Sequence, residues 1–211
     1  MISEVRIYVE GGGGDQKETK ARLRRAFGSF LIELRDRARD RRIRWSIVAC
    51  GGRGSTFRDY KTALRSHPEA FNILLVDAEG PVTSDSPWEH LRSRTGDEWS
   101  NPGVDDKHCH LMVQTMEAWL VADRDKLSEY YGQGFRANAL PDNRNVERIH
   151  KDALLRASDN ATRDTSKRRY SDSKSQHGPD ILHRVRPSEV RPRASYCERL
   201  FSTVAAEIDA D

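Results

Sequence analysis

The pattern of apolar and polar residues predicts a strand–helix–strand–helix–strand order in the first eighty residues. Residues 5–10, VRIYVE, alternate with the period of a strand that has two unlike faces. Residues 44–50, RWSIVAC, predict a second strand, which ends before two glycines. Residues 56–66 predict a short helix that ends before Pro68. Strands separated by helices pair in parallel through right-handed crossovers, so we expect an α/β fold with a mostly parallel central sheet.

A long amphipathic helix is predicted between the first two strands. Asp15 and Glu18 have the three-residue spacing of a helix capping box, with Asp in place of the more usual Ser or Thr. After them, apolar residues recur every three or four positions, while Lys and Arg fill the opposite face. This single apolar stripe consists of Leu23, Ala26, Phe27, Phe30, Leu31, Leu34 and Ala38.

The strand predicted within residues 71–80, FNILLVDAEG, is the centre of the expected sheet. Residues 73–76 do not alternate with polar residues, which is typical of a strand buried on both faces. The apolar run ends at Asp77, and Glu79 follows two positions later. Ligands of open α/β sheets bind at the carboxyl ends of the strands, and side chains at i and i+2 of an extended chain point to the same side. The two carboxylates can therefore share one hard cation such as Mg²⁺.

The next part of the chain predicts a loop, a fourth strand and two helical segments. Residues 81–106 lack a clear period and predict a long loop over the active face. Residues 108–116 predict a strand that runs into a helix from Glu117 onward. Residues 125–131 are predicted to be helical as far as Gly132.

The last third of the chain is predicted to be polar, with a helix at its end. Residues 134–145 have the composition of a linker, and residues 146–157 have weak helical spacing. Residues 158–179 are polar enough to be disordered on their own. Residues 193–208 again place apolar side chains at helical spacing, which predicts a terminal helix that packs back on the sheet.

Composition limits the architecture and the expected cellular setting. A chain of 211 residues fits one domain of ordinary size, or one domain with a small appendage. The net charge of +3, from 36 Lys and Arg against 33 Asp and Glu, is too small by itself to indicate a nucleic-acid partner. The sequence has neither the pattern of a signal peptide nor that of a membrane span. Its three widely spaced cysteines fit reduced thiols and offer no zinc site, so we expect a cytoplasmic protein without a membrane partner.

Glu10, Asp77 and Glu79 are the candidate catalytic and metal-binding residues. Asp77 and Glu79 would hold Mg²⁺ or Mn²⁺, and Glu10 would be a further ligand or a general base for the attacking water. The alternative is that these strand-end acids only cap neighbouring loops or helices. Glu117 is a candidate fourth ligand, because a carboxylate among apolar neighbours is costly to bury unless it is paired or bound to a metal. It suits equally an ion pair with Lys or Arg, or the N-terminus of a helix.

Gly12 and Gly13 are candidate phosphate-binding residues. They precede the first predicted helix, where backbone N–H groups can cradle a phosphate. A flexible turn that lets the chain pass close to the acids explains the same glycines, so both readings stay open.

A basic stretch in the last third of the chain predicts contacts with nucleic-acid phosphates. Residues 163–193 contain nine Lys or Arg against four Asp or Glu. Such a run can neutralise backbone phosphates, or it can form a solvated or ATPase-docking surface. A turn expected at Gly178 and Pro179 would present the preceding histidine to a phosphate. The candidates in this stretch are Lys167, Arg168, Arg169, Lys174 and His177.

The arrangement of acids resembles the TOPRIM fold of topoisomerases, primases and overcoming-lysogenization-defect nucleases. Glu10 ends the first strand before a glycine turn and an amphipathic helix, and an Asp-x-acid pair ends a later strand. The usual pair in that fold is Asp-x-Asp, whereas Asp77-Ala78-Glu79 has a second acid that is one methylene longer. More narrowly, the segments YVEGGGGD, LLVDAEGPV, MVQTMEAWLVAD and HGPDIL are similar to a bacterial TOPRIM-like family, domain of unknown function family 4276.

The resemblance covers most of residues 5–185 and implies a nuclease. Members of that family are commonly encoded beside an ABC-type or SMC-like ATPase, in neighbourhoods that resemble defence loci. We therefore expect a TOPRIM-like catalytic core in residues 1–132 and a polar, basic C-terminal extension in residues 133–211. The leading hypothesis is a Mg²⁺-dependent nuclease that acts on DNA or RNA as the effector of an ATPase-gated defence system.

Two other hypotheses stay open. One is a non-catalytic subunit that binds and regulates the ATPase, motivated by the longer acid in the Asp-x-Glu pair and by the polar segment 158–179. The other is phosphoryl or nucleotidyl transfer on a small nucleotide, which uses the same metal and does not need the basic stretch. The sequence decides neither between DNA and RNA nor whether the chain forms a homo-oligomer.

Overall fold

A computed structural model describes residues 2–11 and 17–210 of the chain. In these residues four strands form one sheet in the order β2-β1-β3-β4, and every neighbouring pair is parallel. The predicted α/β class with a parallel central sheet is therefore confirmed. The strands are β1 (Glu4–Glu10), β2 (Arg44–Gly51), β3 (Ala70–Asp77) and β4 (Cys109–Met112).

Helices flank the sheet and account for most of the remaining described residues. None of the helices among the described residues has the length and apolar character needed to cross a membrane. The helices are α1 (Lys17–Phe30), α2 (Ile32–Asp40), α3 (Arg53–Ser66), α4 (Pro87–Ser93), α5 (Met116–Ala122), α6 (Arg124–Tyr131), α7 (Lys151–Thr162), α8 (Lys174–Leu182), α9 (Pro187–Val190) and α10 (Ser195–Asp209).

The amphipathic segment after β1 packs as its apolar stripe predicts. All seven residues of the stripe are buried, but the chain turns at Leu31 and divides the expected single helix into α1 and α2. Asp15, the proposed helix cap, lies outside the described residues. The central strand is confirmed as well, since β3 lies between β1 and β4 and its residues 71–76 are all buried.

The prediction of an unbroken loop over residues 81–106 is wrong, because α4 forms inside it. Ser86 precedes Pro87 at the first helical position, where the missing N–H and fixed φ of proline favour a helix start. Trp88 and Leu91 are buried and hold this helix against the sheet. A helix of seven residues is too short to produce a visible period.

The strand expected over residues 108–116 is shorter in the structure. A single 3-10 turn, Asp106–His108, precedes it, and the extended segment ends at Met112. Residues 113–115 then connect the strand to α5, which begins at Met116, one residue before the predicted start at Glu117. The four residues of β4 are those that pair with β3, so sheet pairing rather than apolar content sets the length of the strand.

The polar segment 158–179, expected to be disordered on its own, is folded in the structure. Helix α7 extends to Thr162, a 3-10 turn follows at Ser171–Ser173, and α8 begins at Lys174. Tyr170 anchors the segment, since it is only 3% exposed. A few buried side chains thus order a stretch whose composition is mostly polar.

The turn expected at Gly178 and Pro179 is also wrong, because both residues lie inside α8. A Cβ added at Gly178 would lie 3.1 Å from the Met116 Cε atom and 3.3 Å from the Tyr170 hydroxyl oxygen. The glycine therefore allows α8 to pass close to α5 and to the tyrosine. This packing overrides the local preference of the Gly-Pro pair for a turn.

The terminal helix α10 packs against the sheet and α1. Its Phe201 ring meets Phe30 of α1 edge to face, with 5.8 Å between ring centroids. The Arg199 guanidinium donates hydrogen bonds to the carbonyl oxygens of Cys109 and Asp106 at the start of β4. One hydrophobic cluster includes residues from both sides of position 132, so the division into 1–132 and 133–211 stays a prediction.

Candidate functional site

The predicted acids lie on one open cleft at the carboxyl ends of β1 and β3. Glu10 and Asp77 are the last residues of these neighbouring parallel strands, and Glu79 follows β3 by two positions. Glu117 reaches the same cleft from the first turn of α5. The cleft has a volume of about 520 Å³, and residues 171–175 lie opposite the strand ends.

Glu10 is held by Arg53, which stands at the start of α3. The Arg53 Nη1 atom lies 2.8 Å from Glu10 Oε2 and also donates to the backbone carbonyl oxygen of Asp77 at 2.7 Å. The other edge of the guanidinium binds Asp97 through two hydrogen bonds of 2.6 and 2.5 Å, and the group stacks on Trp99. Burial raises the pKa of Glu10, and Arg53 opposes that rise. Arg53 thus fixes Glu10 and the end of β3 together.

Asp77 is the most strongly perturbed acid of the cleft. Burial raises its pKa well above the usual value, and the nearby carboxylates of Glu117 and Glu10 raise it further, with a smaller contribution from Glu79. The backbone N–H of Met116 donates to Asp77 Oδ1 at 2.8 Å and favours the charged form. A divalent cation would relieve this crowding of negative charge.

Glu79 has a backbone conformation that is uncommon for its residue type. Its φ is +63°, in the left-handed region that favours glycine, and its N–H donates to the carbonyl oxygen of Gln114 at 2.7 Å. Its carboxylate meets the ammonium group of Lys151, with Nζ 2.6 Å from Oε2. The turn after β3 therefore directs the acid toward α7 rather than along the strand.

Glu117 is almost fully buried and has two partners. The Tyr170 hydroxyl donates to its Oε1 atom at 2.8 Å, and Lys174 Nζ lies 3.0 Å from the same oxygen. Burial is the largest single influence and opposes ionisation of Glu117, but Lys174 and the hydroxyls of Thr115 and Tyr170 together outweigh it, so the pKa of Glu117 is lowered. Of the roles considered for this residue, the structure therefore contains both the ion pair and the position in the first turn of a helix.

A second, smaller cleft adjoins the first. It has a volume of about 170 Å³, and Lys151, Asp152, Thr115 and Leu155 line its far side. The two clefts share Glu79, Glu117 and Lys174, which therefore lie on the boundary between them.

The donor chemistry of the main cleft fits a hard divalent cation, while the ion pairs of this conformation do not leave its acids free. Carboxylate oxygens are the ligands that Mg²⁺ and Mn²⁺ prefer. Among the described residues, however, no three His, Cys, Asp or Glu side chains converge closely enough to hold a metal ion. Glu10, Glu79 and Glu117 each face a basic side chain instead. Metal binding would therefore require at least one of these ion pairs to open.

The predicted phosphate-binding residues are divided between the cleft and the outer surface. Lys174 lines both clefts, whereas Lys167, Arg168 and Arg169 are exposed and line neither. His177 is buried away from the clefts, and its Nδ1 atom lies 2.8 Å from the Tyr130 hydroxyl. The remaining two candidates, Gly12 and Gly13, lie outside the described residues.

Sequence reasoning missed the side chains that hold the acids in place. Arg53 follows the Gly-Gly pair at the end of β2, and Asp97 lies in the segment that is predicted to be a loop. Lys151 begins α7, 72 positions after its partner Glu79. The gathering of four acids in one cleft indicates that basic side chains lie nearby, because buried charges need partners. The sequence does not show which Lys or Arg residues these are.

A comparison with protein families finds a match that spans residues 9–205. The matched range contains Glu10, Asp77, Glu79 and Glu117 together with their basic partners. Searches of the curated proteins and of the solved structures gave no match. The narrower of the two resemblances is thereby confirmed, whereas the TOPRIM relationship stays a prediction. Since the match covers nearly the whole chain, the protein belongs to the domain of unknown function family DUF4276.

Proposed function

We propose that the protein is a divalent-metal-dependent nuclease that hydrolyses phosphodiester bonds. The observation that carries the proposal is the gathering of Glu10, Asp77, Glu79 and Glu117 on one open cleft at the strand ends. Acidic oxygen donors beside a lysine suit a metal ion that faces a phosphate. A TOPRIM-like relationship, with the same acids at the same strand ends, is part of this proposal.

Each residue of the cleft has a distinct part in the proposed reaction. A bound Mg²⁺ or Mn²⁺ would stabilise the negative charge that develops on the phosphate and would lower the pKa of a bound water. Asp77 and Glu79 would hold the ion, with Glu117 as a further ligand once Lys174 has moved away. Glu10 is positioned by Arg53 and would be a ligand or would accept a proton from the attacking water. Lys174 would then contact the phosphate.

The proposed substrate is DNA or RNA, and the proposed partner is an ABC- or SMC-like ATPase. Lys167, Arg168 and Arg169 support the polymer substrate, since all three are exposed and none forms an ion pair within the described residues. Contacts of this kind position a nucleic-acid backbone without reading its sequence. Gating by the ATPase in a cytoplasmic defence system rests on the family resemblance alone.

Calorimetric titration of Mn²⁺ into the purified chain tests the metal site. We expect the wild type to bind Mn²⁺, and Asp77→Asn to bind at least about tenfold more weakly, because the central carboxylate is lost. Asp142→Asn is the matched control, since its side chain is 96% exposed and lines neither cleft. A wild type that binds no Mn²⁺ and cuts neither DNA nor RNA, alone or with its ATPase, would contradict the proposal.

A non-catalytic subunit that regulates the ATPase is the second candidate. One observation favours it, namely that Glu10, Glu79 and Glu117 are already neutralised by Arg53, Lys151 and Lys174. In this case the acids stabilise the fold and no metal is needed. A complex with the ATPase that keeps its biological activity after simultaneous replacement of Asp77 and Glu79 by Asn and Gln would favour this candidate over the nuclease.

A further inference from the structure

We propose that the second cleft, lined by Lys151 and Lys174, binds a neighbouring phosphate of a nucleic-acid strand whose scissile phosphate lies in the main cleft. When a divalent cation binds to the acids of the main cleft, Lys151 leaves Glu79 and Lys174 leaves Glu117. Both lysines then contact the phosphate of the strand in the second cleft. This inference rests on the proposed nuclease function and specifies its substrate as a polymer rather than a single nucleotide.

The position of the second cleft is the first support. It shares Glu79, Glu117 and Lys174 with the main cleft, so a chain that leaves the main cleft on this side enters it directly. Lys151 stands on its far wall, and the buried Thr115 also lines it. Two adjoining clefts can bind consecutive phosphates of one strand. A nucleoside monophosphate has a single phosphate and can occupy only one of the clefts.

The second support is that the three basic partners differ in exposure and in the number of contacts that hold them. Arg53 is 15% exposed, is bound through two bonds to an Asp97 side chain that is 1% exposed, and stacks on Trp99. Lys151 and Lys174 are 35% and 53% exposed. A lysine ammonium group on a flexible four-carbon stem can change partners at little cost, whereas a guanidinium bound at both edges cannot. The lysines are therefore the cations that can exchange partners.

The third support is the balance of charge. Six carboxylates line the two clefts against Lys151 and Lys174, and Arg53, which binds Glu10, is shared with Asp97. This negative set attracts a divalent cation and repels a phosphate until the cation has bound. The six carboxylates are those of Glu10, Asp77, Glu79, Glu117, Asp152 and Asp172. Lys151 and Lys174 would leave Glu79 and Glu117 to a bound divalent cation, whose positive charge would repel both ammonium groups. A phosphodiester anion at the second cleft would give both ammonium groups a new partner. Metal and nucleic acid are thus expected to bind cooperatively.

Metal titration of lysine variants tests the exchange without measuring activity. We expect Lys151→Met and Lys174→Met to bind Mn²⁺ more tightly than the wild type, by about three- to tenfold, because the competing ammonium group is gone. Lys126→Met is the matched control, since Lys126 forms a comparable ion pair with Glu129 on α6, away from both clefts. Its affinity for Mn²⁺ should equal that of the wild type.

Oligonucleotide binding supplies the second measurement. With Ca²⁺ in place of Mg²⁺ to prevent cleavage, fluorescence anisotropy would follow a labelled DNA or RNA strand of about twenty nucleotides. Both methionine variants should bind the strand about tenfold more weakly, while Lys174→Arg should keep most of the affinity. Binding of a nucleoside monophosphate should stay unchanged in Lys151→Met, because Lys151 lines only the second cleft. Thermal unfolding of each variant would confirm that the fold is intact.

The outcomes separate this inference from the nuclease proposal. A wild type that binds no metal would overturn both the proposed function and the inference. A wild type that binds metal, with methionine variants that match it in metal and strand affinity, would overturn only the role of the second cleft. Weaker binding of both metal and strand by the methionine variants would also overturn the exchange, since it would give the lysines a purely structural role.

Discussion

At the scale of single residues, Glu79 joins a candidate functional side chain to a strained backbone. A left-handed φ costs a residue with a Cβ atom about 1–2 kcal/mol relative to glycine. The hydrogen bond from its N–H to the Gln114 carbonyl oxygen holds this conformation, and the ion pair with Lys151 fixes the side chain. Strain of this kind is common at functional sites, where the surrounding structure enforces it.

Two substitutions at position 79 separate the backbone from the carboxylate. Both Glu79→Gly and Glu79→Ala remove the ion pair with Lys151, but only glycine relieves the strain at φ +63°. We expect the glycine variant to be more stable than the alanine variant by about 1 kcal/mol, the reverse of their usual order. Urea unfolding of both proteins measures this difference. Equal stabilities, or a more stable alanine variant, would show that the conformation is not strained.

Arg53 is the residue whose loss should be most costly near the cleft. Among the described residues, its removal leaves the buried carboxylate of Asp97 with Arg94 alone and takes from Glu10 the basic side chain that binds it. We expect Arg53→Met to lower the free energy of unfolding by about 3 kcal/mol, because removal of one partner of a buried ion pair leaves the other charge buried and uncompensated. Chemical denaturation provides the measurement.

A double-mutant cycle checks that the cost comes from this ion pair. Asp97→Asn removes the charge that Arg53 neutralises, so the double variant should lose less stability than the sum of the two single variants, by about 1–3 kcal/mol. Strict additivity would mean that Arg53 acts through Glu10, the Asp77 carbonyl oxygen or Trp99 instead.

At the scale of secondary structure, long periodic segments were predictable and short ones were not. The stripe on α1 and α2 and the apolar run of β3 were visible because burial on one or both faces produces a clear pattern. Helix α4, by contrast, has three buried residues, one of them the proline of its Ser-Pro start, as its only signals. Tertiary packing around Tyr170 decides the structure of residues 158–179, and no local pattern encodes packing between distant segments.

The connection between α6 and α7 depends on two glycines with positive φ. At Gly134, with φ +88°, an added Cβ would collide with the carbonyl oxygen of Asp164, whereas at Gly132, with φ +68°, it would meet no atom within 4 Å. We expect Gly132→Ala to cost about 1 kcal/mol from backbone strain, and Gly134→Ala to cost at least about 2 kcal/mol more from the collision. Thermal and urea unfolding of the two variants give the comparison. Similar losses would indicate that the connection can shift to accommodate a side chain.

The start of α6 should give part of the stability a defined pH dependence. Asp123 caps this helix and is only 1% exposed. Burial opposes its ionisation, but hydrogen bonds from the Arg186 side chain and backbone N–H lower its pKa below the usual 3.8. A lowered pKa in the folded state stabilises the protein above the usual value, and this contribution is lost as the pH falls through the folded-state pKa.

Comparison with Asp123→Asn isolates this contribution. The wild type should exceed the variant in free energy of unfolding by a constant amount above about pH 5, and the difference should shrink below about pH 4. Urea unfolding over this range measures it. A difference that stays constant down to about pH 2 would mean that the charge of Asp123 does not contribute.

At the scale of the whole molecule, the topology of the sheet makes the positions of the acids predictable but not those of their basic partners. Parallel strands bring their carboxyl ends to one edge, so Glu10 and Asp77 could be placed together without coordinates. The basic partner of Glu10 lies 43 positions along the chain, and that of Glu79 lies 72 positions along it. Such pairings depend on loop paths and helix packing, which leave no periodic signal in the sequence.

The distribution of charge over the molecule gives the last prediction. Most basic residues of the stretch 163–193 face acids or backbone carbonyl groups, whereas Lys167, Arg168 and Arg169 are exposed and form no ion pair within the described residues. Replacing these three by alanine should leave the fold intact and should weaken nucleic-acid binding. The dependence of log affinity on log salt concentration should become shallower by about 2, because each lost phosphate contact removes slightly less than one released counterion.

A second triple variant with the same change in net charge distinguishes a local contact from a general charge effect. Arg65, Arg92 and Arg148 are exposed and also outside the ion pairs of the described residues, and they lie in other parts of the chain. If residues 167–169 contact the strand, the control should keep a salt slope close to that of the wild type, as measured by anisotropy over a range of salt concentrations. Equal losses in the two variants would mean that only the overall charge attracts nucleic acid. An unchanged slope in the first variant would instead favour these residues as a surface for the protein partner.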